Sequence, residues 1–151
     1  GVLGAEHPDT ATAVNNLAWL YDAMGRYDEA LPLAERVVRT LEGVLGAEHP
    51  DTATAVNNLA SVYHAMGRYD EALPLAERVV RTREGVLGAE HPDTASAVNN
   101  LAMLYKAMGR FQDALSLFRR CLSLFHKAHG SCHPSTAHSL FNLAACFISK
   151  V

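Results

Sequence analysis

Four side chains that could hold a metal crowd one segment near the C-terminus: His126, His129, Cys132 and His133, with His138 close behind. Imidazole nitrogen and thiolate sulfur are good zinc ligands. Their spacing matches no zinc module, however, and two of them have a plainer origin. His133 belongs to a His-Pro pair that also occurs at His7, His49 and His91, and His129 stands where Leu45 and Leu87 stand earlier in the chain. We therefore expect no metal and no cofactor. Other catalytic patterns fail in the same way. Gly43-Val44-Leu45-Gly46 lacks the Lys-Ser/Thr of a phosphate-binding loop. Asp28 and Glu29 read as helix-surface charges with no reason to lose their water. Cys132 and His133 are chain neighbours rather than a built nucleophile–base pair, and no serine sits in a nucleophile elbow. The expectation is a protein that is not an enzyme.

The chemistry that does recur is the carboxamide. Asn15-Asn16 returns as Asn57-Asn58 and Asn99-Asn100, 42 residues apart each time, and Asn142 stands in the place of the second member. A carboxamide carries donors and an acceptor, so it can pair with the backbone of an extended peptide or with a neighbouring helix. Asn16, Asn58, Asn100 and Asn142 lie on the adjoining face and suit the bond between helices better.

The elements that must position these groups follow from the same period. Asn15 to Tyr27 returns as Asn57 to Tyr69 and Asn99 to Phe111, and restarts at Phe141-Asn142-Leu143-Ala144. A fixed period of this size is the signature of stacked repeats. The repeats are 1–42, 43–84, 85–126 and a half repeat, 127–151, in one domain spanning 1–151. The first two differ only at Trp19/Ser61, Leu20/Val62, Asp22/His64 and Leu41/Arg83. Within a repeat, His7-Pro8-Asp9-Thr10 opens a helix: proline suits the first helical position, and Asp9 faces the positive end of the dipole. Val14, Leu17, Ala18 and Tyr21 fall on one helical face. Gly25, Gly67 and Gly109 stop the helix in the left-handed conformation. A second helix runs from about Tyr27 to Val44 with Ala30, Ala34, Val37, Val38 and Leu41 as its apolar face. Pro32 removes one backbone bond, to the Asp28 carbonyl, near the start of this helix, where the cost is small. Glu35 and Arg39 are expected to pair on its outer side. Two helices joined by so short a turn form an antiparallel hairpin, and hairpins bury their apolar faces by stacking.

Composition bounds the function. The 151 residues are 49% apolar and 19% charged, a globular balance. A formal charge of −3 lacks the basic excess that nucleic acid requires. No apolar run reaches the roughly 18 residues of a membrane span. Cys121, Cys132 and Cys146 make no CxxC and no even framework, which points to free thiols in a reducing, cytoplasmic setting. Gly1 begins inside a repeat, as a segment of a longer parent would.

The order Leu17-Ala18-x-x-Tyr21, Gly25-x-Tyr27, Ala30 and Val37-Val38 resembles the tetratricopeptide repeat. The 42-residue length, Asn-Asn-Leu-Ala and Leu-Gly-x-x-His-Pro are similar to the long variety of kinesin light chains. The common form has 34 residues and a closing proline; here that proline is absent, and the extra length extends the second helix by about 12 Å at most. The resemblance implies an all-α, right-handed superhelical solenoid of antiparallel helix hairpins, whose first helices line a concave groove for peptide segments of a protein partner. It places Thr12, Asn15, Trp19 and Asp22 in that groove, with Thr54, Asn57, Ser61 and His64, then Ser96, Asn99, Met103 and Lys106. These positions also form a stripe beside the core stripe on geometry alone.

Comparison of the chain with itself sharpens the expectation. The three first helices differ at Thr12/Thr54/Ser96, Trp19/Ser61/Met103, Leu20/Val62/Leu104 and Asp22/His64/Lys106. Three of these four belong to the groove stripe, whereas the core stripe of Val14, Leu17, Ala18 and Tyr21 is constant. Trp19 is the expected anchor, since aromatics dominate binding hot spots. Asp22, His64 and Lys106 run from negative to positive, which suits a ligand of mixed charge. The last helix differs in character. Leu140, Phe141, Leu143, Ala144, Ala145, Cys146, Phe147 and Ile148 make it apolar almost all round, where an end helix should have a polar outer face. It should cap the third repeat and offer Phe141, Ala145 and Ile148 for self-association, head to tail, into a homo-oligomer. A self-assembling array with no peptide ligand is therefore the alternative to the binding module.

Overall fold

The computed structural model describes residues 8–129 and 134–149, apart from the side chains of residues 8, 9, 11, 12 and 149. Among them are seven α-helices and no strand: α1 (Pro8–Ala23), α2 (Tyr27–Leu45), α3 (Pro50–Ala65), α4 (Tyr69–Leu87), α5 (Pro92–Ala107), α6 (Phe111–His129) and α7 (Pro134–Ser149). The chain divides into two compact units, Gly1–Val79 and Val80–Val151, with the boundary inside α4. In the first unit α1 packs on α2, and α3 packs on both. In the second, α5 packs on α6 and α6 on α7. The second helices are longer than the first, 19 residues against 16, so the extra length of the repeat is helical as expected. α2 passes through Pro32 without a break.

The turn between α1 and α2 is built from hydrogen bonds that the sequence dictates. The Gly25 amide donates to the Asp22 carbonyl at 2.9 Å, and the Arg26 amide reaches the Tyr21 carbonyl at 2.8 Å. This is a Schellman closure, and it requires the left-handed backbone that Gly25 adopts at φ +71°. A contact between the residue after the glycine and the last turn commonly accompanies it. Here that contact is a cation over an aromatic ring. The Arg26 guanidinium lies 4.8 Å from the Tyr21 ring centre and is held from the other side by Glu29. Arg68 repeats the device with Tyr63 and Glu71, and Arg110 with Tyr105 and Asp113.

Every residue of the His-Pro-Asp-Thr tetrad has a task. His49 caps α3, its Nδ1 accepting from the Asp51 amide at 3.1 Å. Pro50 occupies the first helical position and Asp51 lies in the first turn. Thr52 is fully buried and donates to the Gly46 carbonyl at 2.8 Å, fastening the preceding turn to the helix. Gly46 itself has φ +94° and ψ 161°, a region open essentially to glycine alone. His91, Asp93, Thr94 and Gly88 repeat the arrangement in the second unit.

Small side chains let the helices approach. Ala30, Ala34, Val37, Val38 and Leu41 of α2 are all buried, as the sequence predicts, and Thr40 joins them. In α6 the places of Ala34 and Val37 are taken by Phe118 and Cys121, both fully buried. Phe118 centres a cluster with Ala102, Ala114, Leu115 and Cys146. Two expectations about the first helices need correction. Leu59 and Leu101 are buried, but Leu17 of α1 is 42% exposed. Position 20 belongs to the core: Val62 and Leu104 are buried, whereas Leu20 is 48% exposed. One of the four varied positions is therefore a Val/Leu exchange in a packed interior. Glu35 does not pair with Arg39; its carboxylate accepts from the Tyr63 hydroxyl at 2.9 Å, tying α2 to α3.

Candidate peptide-binding surface

The stripe expected to bind a ligand borders a concavity in each unit. In the first, a cavity of ≈ 190 Å³ lies between α1 and α3, lined by Asn15, Ala18, Trp19, Asp22, Ala34, Asn58, Ser61 and Val62. Four of these, Asn15, Trp19, Asp22 and Ser61, are stripe residues. In the second, a cavity of ≈ 440 Å³ is lined by Ser96, Asn99, Asn100, Phe125, Pro134, Ser135, His138 and Ser139. Ser96 and Asn99 come from the stripe. His138 of α7 stands 42 residues after Ser96, in the register of the stripe, and with Ser139 it is missed in the sequence because the half repeat reads there as a surface for capping and self-association and not for binding.

The remaining stripe positions divide by environment. Thr54 and Ser96 are exposed, with hydroxyls bonded back to Pro50 and Pro92 of their own helices. Asn57, Met103 and Lys106 are half-buried, and Met103 leans against the Phe118 cluster. The His64 ring sits 5.6 Å from that of Tyr69, and its Nε2 is buried without a hydrogen-bond partner among the described residues. The side chain of Thr12 lies outside the described residues. Burial pushes the Asp22 carboxyl above its ordinary range. The Cys146 thiol is pushed up by burial, with the Lys106 ammonium acting in the opposite sense.

The carboxamides are less free than their exposure in a groove suggested. Asn58 Nδ2 donates to Asn15 Oδ1 at 3.2 Å, and Asn142 Nδ2 donates to Asn99 Oδ1 at 3.2 Å. Asn15 and Asn99, first members of their pairs, therefore help to join hairpins along with Asn58 and Asn142, so the bond between helices is not made by the second position alone. In both bonds it is the Oδ1 of Asn15 and Asn99 that is engaged.

On α7 Leu143 packs against the Phe118 cluster, but the other large apolar residues point outward and several small ones inward. Phe141 and Ile148 are 68% and 76% exposed, with Leu140 and Phe147 beside them, while Ala145 is half-buried. Ser139, Asn142 and Cys146 face the interior, Cys146 donating weakly to the Phe111 carbonyl. The helix packs on α6. No group of three metal-ligating side chains converges among the described residues. Cys132 and His133 lie outside them, and His126, His129 and His138 are exposed. No helix of the described residues is long and apolar enough to cross a membrane.

A tetratricopeptide repeat family model matches four overlapping segments that together run from residue 1 to residue 150. The chain belongs to the tetratricopeptide repeat family. Within it, the chain is of the kinesin light chain-like kind. A crystal structure of a kinesin light chain-type protein with nearly identical repeats, from Podospora anserina, superposes with a TM-score of 0.87 at 32% identity, over 95% of this chain and 69% of that one. BtubC of P. vanneervenii superposes with a TM-score of 0.86 at 26% identity, over 95% of this chain and 57% of that one. Kinesin light chain-related protein 2 of Arabidopsis thaliana is 54% identical over 39 residues, which is 26% of this chain and 6% of that protein's length. Tetratricopeptide repeats generally act as protein-interaction scaffolds, and the fold is typically non-catalytic.

Proposed function

We propose that the first helices of this chain hold an extended segment of a partner protein. The observation that carries this reading is the coincidence of the varied stripe with a concavity in each unit. The walls offer what an extended backbone needs: amide donors on Asn15 and Asn99, hydroxyls on Ser61 and Ser96, and side chains that differ from repeat to repeat. Capture of peptides from a random displayed library tests it, comparing the intact chain with a Ser61→Tyr/Ser96→Tyr variant. Both serines are exposed, so the variant should fold while its rings fill the two cavities. Selective enrichment that the variant loses supports a peptide surface; no enrichment by the intact folded chain rejects it.

A second reading is favoured by α7. Its outward Leu140, Phe141, Phe147 and Ile148 have a counterpart in the first unit in Leu17, Leu20 and Met24 of α1, all exposed. Leu59 and Val62 show that the same positions pack well once another hairpin lies against them. A second copy of this chain would supply such a surface, giving a head-to-tail association of copies.

A further inference from the structure

We propose that the cavity between α1 and α3 is a receptor for one basic side chain, with the Trp19 ring and the Asp22 carboxylate as its two recognition groups. The proposal rests on the reading of this surface as peptide-binding and names what one part of it selects. Trp19 and Asp22 are three residues apart on α1, hence neighbours on one face of the helix. Both line the cavity. Trp19 is 64% exposed, so its ring face is open to a ligand.

Asp22 is half-buried, and among the described residues no cation is bonded to it. A carboxylate that has lost part of its water without gaining a counter-charge is under-compensated, and burial accordingly raises its pKa. An arriving guanidinium or ammonium supplies the missing charge and stacks on the indole face. The other polar atoms at the cavity wall favour a donor-rich head. Ser61 directs its proton to the Asn57 carbonyl, leaving its oxygen to accept. Asn58 uses its Nδ2 toward Asn15, leaving its Oδ1 to accept.

Size and charge exclude the alternatives. Whole small-molecule ligands occupy pockets of roughly 300–1,000 Å³. At ≈ 190 Å³ this cavity suits a single side chain. An acidic residue would meet Asp22 with like charge, and an apolar one would bury that carboxylate without a partner. The equivalent positions are Ser61 with His64 and Met103 with Lys106, so the aromatic–carboxylate pair marks only the first repeat.

Trp19 is the sole tryptophan, so its emission reports on the cavity directly. The full chain is titrated with Ac-Ala-Arg-Ala-NH₂, with the isosteric neutral citrulline tripeptide, and with Ac-Ala-Glu-Ala-NH₂. A saturable response to the arginine peptide is expected, about tenfold weaker or more for citrulline and for Asp22→Asn, which corresponds to about 1.4 kcal/mol. Asp22→Glu, which restores the charge, should recover binding. Coincident arginine and citrulline curves, or an affinity indifferent to Asp22→Asn, would overturn the proposal. Displayed peptides captured in the groove without enrichment of Arg or Lys, and equally by Asp22→Asn, would overturn it while leaving the peptide surface standing. No library capture together with no response to the arginine peptide would overturn both.

Discussion

The side chain of Asn58 donates to that of Asn15 across the α1–α3 contact, and 84 residues later Asn142 does the same to Asn99. One carboxamide thus holds its neighbour in place, and Asn15 and Asn99 also line the concavities of their units. On the proposed reading the pair would link packing to recognition, because the hairpin stack itself positions Asn15 and Asn99.

Asn99→Ala should therefore destabilise the fold. Asn142 is only 4% exposed, and truncating its partner leaves a buried amide without an acceptor. A cost of about 1–3 kcal/mol is expected. Asn16→Ala, at an exposed position, should stay within about 0.5 kcal/mol of the parent. Urea unfolding of the two variants compares them, and equal midpoints would show that the carboxamide bond carries no stability. The same reasoning makes Asn99 unsuitable for isolating ligand contacts, and explains why the exposed serines serve better.

Three glycines separate backbone demand from space. A Cβ at Gly67, Gly46 or Gly43 would meet no atom within 4 Å. Gly67 has φ +73°, so Gly67→Ala should cost about 1–2 kcal/mol from conformation alone. Gly46→Ala, at φ +94°, should cost about 1–3 kcal/mol. Gly43 lies in ordinary helix near the end of α2, and Gly43→Ala should stabilise by about 0.5–1 kcal/mol. Opposite signs at positions 43 and 46 in thermal melts are the decisive result.

Cys121 sets an alkaline limit. It is fully buried, donates to the Ala95 carbonyl, and burial pushes its thiol up to about 12. The folded protein keeps a proton that the unfolded chain gives up from about pH 8.5. Its contribution is thus complete below that pH and is lost as pH rises toward 12, at about 1.4 kcal/mol per unit crossed. Cys121→Val, which restores the residue found at positions 37 and 79, should flatten stability between pH 9 and 11 relative to the parent. Identical pH profiles for the two would show that the thiol does not titrate with unfolding.

The exposed apolar residues of α7 predict association that depends on concentration. Sedimentation of the parent should show mass increasing with protein concentration, and Phe141→Lys/Ile148→Lys should restore a single monomer mass. A parent that stays monomeric throughout would reject the head-to-tail reading.

Much of this was legible in the residues. Period, hairpin and turn glycines follow from local pattern, because each depends on side chains within one repeat. Leu17 and Leu59 sit in the same local sequence yet differ in burial, since burial depends on which hairpin lies alongside. The cap formed by His49 was hidden because histidine is not among the usual capping residues, although the Pro and Asp after it marked the helix start. The Thr52 bond to Gly46 was equally hidden, a threonine in a helix giving no sign of reaching back across a turn. The Trp19–Asp22 stripe was readable by helical spacing, whereas its closure by Asn58 and Ser61 required the fold of α3 against α1. The Asn15–Asn58 bond joins residues 43 apart, and helical periodicity says nothing about partners on another helix.

Near-identical repeats carry a folding hazard: a hairpin could dock one repeat out of place and still satisfy almost every neighbour. α2 and α4 differ at a single position, Leu41 against Arg83. Leu41 is 8% exposed, while Arg83 is half-buried and donates to the Asp93 carbonyl at 3.0 Å. A chain that slipped by 42 residues would drive a guanidinium into the seat of a buried leucine and leave it without that carbonyl. This one exchange works as an address label, telling otherwise interchangeable helices which berth is theirs.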